Sequence, residues 1–93
     1  MNQSVPKRVL VVEDDEEIRE HLEELLEEEG FAVATASDGY QALTWLRDHP
    51  EQAGVVLLDL MMPVMDGFEF LRRKDKEPSL ASVPVIVITA AGP

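Results

Sequence analysis

Short apolar runs alternate with helical stripes along this chain. Val9-Leu10-Val11-Val12 has no polar break, the pattern of a strand buried on both faces of a parallel sheet. Ile18, Leu22, Leu25 and Leu26 then recur at i, i+4, i+7 and i+8, forming one apolar stripe on a helix whose other faces are acidic. Asp14 or Asp15 can cap its start, and Gly30 suits the left-handed residue just past its end. Phe31 to Ala36, where Phe31, Val33 and Thr35 alternate with alanines, predicts a second strand. Ser37-Asp38-Gly39 turns into a short helix carrying Ala42, Leu43 and Leu46 and stopped near Pro50. Val55 to Leu58 predicts a third buried strand ending on Asp59. Leu60 to Gly67 then reads as a loop, followed by a helix through Phe68 and Leu71. Pro78 and Pro84 bracket a connector to a fourth strand, Val85 to Thr89.

Strands alternating with helices of this length imply βαβ units, a parallel sheet and right-handed crossovers. In such sheets ligands sit beyond the carboxyl ends of the strands. Three strand ends here carry polar groups, namely Glu13-Asp14, Asp59 and Thr89. That is where chemistry is expected.

Composition narrows the function classes. A chain of 93 residues holds one small domain, and residues 1–7 read as a disordered or extended lead. The net charge of −11 repels nucleic acid and anionic lipid, so this segment is expected to bind neither. The absence of cysteine excludes disulfides, thiolate metal sites and Cys nucleophiles, and fits a reducing compartment. No apolar stretch approaches the roughly 20 residues of a membrane helix, and residues 1–7 lack the apolar core of a secretion signal. A cytoplasmic location is the expectation.

Adjacent parallel strands lie about 4.8 Å apart, so carboxylates at neighbouring strand ends converge on a volume one ion wide. Glu13, Asp14 and Asp59 there would repel one another unless protonated or bridged by a cation. An all-oxygen donor set favours Mg²⁺, with several waters retained. The cation would offset the repulsion between Asp59 and an incoming phosphoryl group. A carboxylate can itself be the nucleophile and form an aspartyl-phosphate, with the Thr89 hydroxyl on a phosphoryl oxygen. A single Asp at a strand end is more often a cap or turn former. Three acids and a threonine at strand ends are harder to explain that way.

Val9 to Asp15 resembles the first strand and acidic pair of a two-component response-regulator receiver domain. Asp59-Leu60-Met61-Met62-Pro63-Val64-Met65-Asp66-Gly67 is similar to that family's phosphoacceptor loop, in which Asp is followed by Met-Pro and then Asp-Gly. Val85 to Ala90 resembles its fourth strand and switch hydroxyl, so the match runs from about residue 8 to the end. The resemblance implies an α/β, flavodoxin-like, doubly wound parallel sheet of order 2-1-3-4. Residues 1–93 would form a single partial domain lacking the family's fourth helix, fifth strand and fifth helix. Asp59 would accept phosphate from a phosphohistidine on a sensor histidine kinase or phosphotransfer protein. Asp14 would ligate Mg²⁺ directly, Glu13 would act through water, and the backbone carbonyl of Met61 would complete the protein ligands. Thr89 would be the switch hydroxyl, and the small Ala90 would leave room for the phosphate. Glu13 stands where many members have Asp, and an alternative register would pair Asp14 with Asp15. Glu13-Asp14 is preferred because it directly follows the strand, which leaves Asp15 as the cap.

Pro63 stiffens the loop and Gly67 permits a tight turn into the next helix, while Met65 reads as core filler. Glu20 to Glu29, Lys74 and Lys76 read as solvated surface. No lysine matches the family's phosphate-contacting residue, which implies impaired acceptance. Val85 to Ile88 is expected to be an apolar edge that invites self-association, measurable by light scattering. The rival reading is therefore a non-signalling interaction or self-assembly module. An aspartate-nucleophile phosphatase is disfavoured, because Met61 stands where a second Asp is required two residues after Asp59. At most, Mg²⁺-dependent self-phosphorylation from a donor is expected, not classical enzymatic turnover.

Overall fold

A computed structural model of the chain describes residues 7–88. The strands β1 (Arg8–Val12), β2 (Ala32–Ala36), β3 (Ala53–Asp59) and β4 (Val85–Ile88) form one parallel sheet in the order β2-β1-β3-β4. The helices α1 (Glu16–Glu28), α2 (Gly39–Asp48) and α3 (Gly67–Lys76), with a one-turn helix α4 (Pro78–Ala81), connect them. The expected α/β doubly wound architecture and strand order are both present.

Because successive strand residues point to opposite faces, the central strands feed two cores. Leu10, Val12, Val56 and Leu58 join Ala42, Leu43, Leu46 and Phe70 under α2 and α3. Val9, Val11 and Val33 face the other side, where Leu22 and Leu26 of α1 pack on them. Unbroken apolar runs thus become strands buried on both faces.

The first helix corrects part of the sequence reading. It has no buried residue, and Ile18 and Leu25 of its apolar stripe remain 41% and 46% exposed. At 100° per residue, Leu22 and Leu26 centre about 70° away from Ile18 and Leu25, and only their flank meets the sheet. The helix ends as expected: Gly30 has φ 92°, its N–H donates to the Glu27 carbonyl (3.0 Å), and the Phe31 N–H donates to the Leu26 carbonyl (3.0 Å). That last bond spends the Phe31 amide on the helix end. Phe31 therefore stays outside β2 and is 53% exposed.

On α3, Phe70 is the core aromatic, while Phe68 is 65% exposed. The buried positions Gly67, Phe70 and Lys74 follow i, i+3, i+7, one face of the helix. Lys74, read as solvated surface, is buried, and its ammonium donates to the Ala81 carbonyl at the end of α4 (3.1 Å). The connector holds a helical turn because Pro78 suits its first position and Leu80 is fully buried beneath it. No described helix is long and apolar enough to cross a membrane.

Candidate metal centre

Pairing of β1 with β3 runs Val9 with Val55 through Val12 with Leu58, so the next residues, Glu13 and Asp59, emerge side by side. Glu13 stays in the sheet's plane by donating its N–H to the Ala36 carbonyl (3.1 Å). Glu13 and Asp59 are buried and Asp14 is exposed. Carboxylate oxygens of all three lie within 4.8 Å of one another. The sheet thus brings together the three acids expected to meet.

Asp15 is used elsewhere: its carboxylate accepts the Ile18 N–H (3.0 Å) and caps α1. Its own N–H donates to Glu13 Oε1 (3.0 Å), fixing that carboxylate. Asp59 Oδ1 accepts the Met61 N–H (3.0 Å), which folds the loop back over the end of β3. Asp66 caps α3 through the Glu69 N–H (2.9 Å). Gly67 then presses on the loop, since a Cβ there would stand 2.7 Å from Leu60 Cα and 3.0 Å from the Asp59 carbonyl oxygen. The Asp-Gly pair is a joint that packs the helix start against the backbone of Asp59 and Leu60.

Electrostatics favour a cation here. Burial, reinforced by the charge of Asp59, pushes the Glu13 carboxyl up to about 7, against the opposing pull of the Asp15 N–H. None of the described salt bridges reaches Glu13, Asp14 or Asp59. An all-oxygen trio with surplus negative charge and one open, exposed member suits a hard divalent ion that keeps part of its water. Thr89 and Ala90 lie outside the described residues.

Two features escaped the sequence reading. Arg19, the lone Lys or Arg of α1, donates to the carbonyls of Glu13 (3.0 Å) and Asp14 (3.5 Å). A single cation in an otherwise acidic helix was the available signal. On the loop after Asp59 and the first turn of α3, Met61, Val64 and Phe68 are 75%, 66% and 65% exposed, and Met61 and Phe68 line one open pocket. Phe68 was read only as part of the following helix, with no face assigned to it.

A family profile described as the response regulator receiver domain matches residues 9–93. The chain belongs to that family. Among solved structures, this receiver domain superposes on the chemotaxis protein CheY4 of Vibrio cholerae with a TM-score of 0.84, 30% identity, and coverage of 96% of this chain and 72% of that one. The N-terminal domain of a response regulator receiver protein from Methanoculleus marisnigri JR1 gives 0.84 at 35% identity, covering 92% of this chain and 68% of its own. Among curated relatives, the transcriptional regulatory protein CpxR homolog of Haemophilus influenzae is 45% identical over 85 residues, spanning 91% of this chain and 35% of that protein. Response regulator GtcR of Aneurinibacillus migulanus is 38% identical over 84 residues, 90% of this chain and 33% of its own length. The receiver domain thus spans about a third of the curated relatives it matches.

Proposed function

We propose that this receiver domain takes a phosphoryl group on Asp59 from a phosphohistidine of a sensor histidine kinase or phosphotransfer protein, in the cytoplasm. A carboxylate oxygen of Asp59 attacks phosphorus, the phosphorus–nitrogen bond to the donor imidazole breaks, and an aspartyl-phosphate forms. Glu13, Asp14, Asp59 and the Met61 carbonyl would hold Mg²⁺, which would supply charge neutralisation of the phosphoryl oxygens. Asp14 would bind it directly and Glu13 through water. Thr89 hydrogen-bonds a phosphoryl oxygen and Ala90 leaves space for it. Lys74 is committed to Ala81, so it does not serve the phosphate.

The observation that carries this reading is the convergence of three carboxylates from neighbouring strand ends within 4.8 Å, one of them with its pKa pushed up to about 7. Incubation with Mg²⁺ and a small phosphodonor tests it. The expected result is an acid-stable, base-labile mass gain of one phosphoryl group that Asp59→Asn abolishes. A gain that persists in Asp59→Asn, or no gain at any donor concentration, contradicts it.

A second reading, self-assembly, is favoured by β4. Ile86 and Val87 are 53% and 43% exposed on a strand that, among the described residues, has a partner on one side only. Such an edge offers unpaired backbone groups to a second copy.

A further inference from the structure

The loop carrying Glu13 and Asp14 is held by more than its strand. Glu13 is anchored at its amide by the Ala36 carbonyl and at its carboxylate by the Asp15 N–H. Asp14 has no backbone anchor among the described residues: its exposed carboxylate meets the Glu13 carboxyl beside it. Its direction is therefore set by the backbone on which it sits. That backbone carries two carbonyls with no described backbone donor, those of Glu13 and Asp14, and the Arg19 guanidinium donates to both. Helical side chains lean back toward the N-terminus, so a residue one turn into α1 reaches the loop before it. Both bonds leave the same nitrogen, Nη1, the stronger to Glu13 (3.0 Å) and the longer to Asp14 (3.5 Å), so this one end of the guanidinium straddles the two carbonyls.

We propose that Arg19 is the positioning residue of this metal centre: by clamping the Glu13 and Asp14 carbonyls it aims the Asp14 carboxylate at the space shared with Asp59. The proposal rests on the reading that the three acids hold Mg²⁺. It differs in sign from a purely Coulombic role. A cation near a metal site repels the metal, so removing a charge alone tightens Mg²⁺ binding. Removing a clamp loosens it, because supporting groups around ligands are worth about 10- to 100-fold in metal affinity.

The test is a calorimetric titration with Mg²⁺ alone on wild type, Arg19→Met and Arg19→Lys, with thermal melting in metal-free buffer. Methionine keeps the apolar stem and helix propensity while removing every donor. Arg19→Met is expected to weaken Mg²⁺ about 10-fold. Lysine keeps the charge and a donor nitrogen but carries it on a stem one bond shorter, so Arg19→Lys is expected to be roughly two- to threefold weaker than wild type. Affinity in Arg19→Met equal to or tighter than wild type overturns the proposal, even if its melting temperature falls, since a merely structural role moves stability without affinity. Should Arg19→Met not fold, Arg19→Lys decides alone: weakening supports the clamp and unchanged affinity overturns it. Wild type that binds no Mg²⁺ overturns the metal reading itself, and the clamp with it.

Discussion

Glu13 and Asp59 leave adjacent strands side by side, and the cost of ionising both sets the pH behaviour of the metal-free protein. The Glu13 carboxyl is raised from 4.5 to about 7, chiefly by burial. Between those values the folded state keeps a proton that the unfolded chain has released. The stability this proton contributes is present at low pH and is lost as pH rises through about 7. Mg²⁺ requires the ionised form, so its affinity should climb with pH across that range and binding should release protons. Glu13→Gln should flatten the dependence, stabilise the metal-free fold by roughly 1–2 kcal/mol at neutral pH, and weaken Mg²⁺. Titrations in buffers from acidic to mildly alkaline pH check this, and an affinity that stays flat through pH 7 is incompatible with it. Asp15 was legible as a cap from its place before the helix. Arg19 was not, because its partners are backbone carbonyls, which carry no residue identity in a sequence.

At the scale of elements, unbroken apolar runs foretold the strands well. Position within a helix was less legible. The sequence places Phe68 and Phe70 two residues apart on opposite sides of α3, and periodicity alone does not say which side meets the sheet. The structure buries Phe70 because it shares a face with Gly67 and Lys74. Lys74 looked like surface because its acceptor, the Ala81 carbonyl, belongs to a turn that only the packing of Leu80 creates. On β4, the expected edge, Ile86 and Val87 are exposed and β3 is the one neighbour among the described residues. If that edge drives self-association, light scattering should report a mass that rises with concentration, and Ile86→Lys should return it to the monomer. A monomeric mass for both proteins at high concentration contradicts the edge reading.

For the whole molecule, the decisive contact is a long one. Residues 13 and 59 lie 46 positions apart, and they meet because the crossover through α2 sets β3 beside β1. Hydrophobic pattern alone predicts strands and helices but not which strands are neighbours; the family resemblance supplied the order. The net charge of −11 adds a second consideration, because an acidic surface gathers divalent cations without any specific site. At about 0.1 M salt the Debye length is near 10 Å, so diffuse attraction is screened while a buried trio is not. The most direct test is to add substoichiometric Mn²⁺, a paramagnetic stand-in for Mg²⁺, to the labelled protein under those conditions and follow amide line widths. Residues 13–15 and 59–61 should broaden first and together, and Asp59→Asn should blunt the effect. Broadening spread along the acidic face of α1, with residues 59–61 untouched, would contradict the shared site.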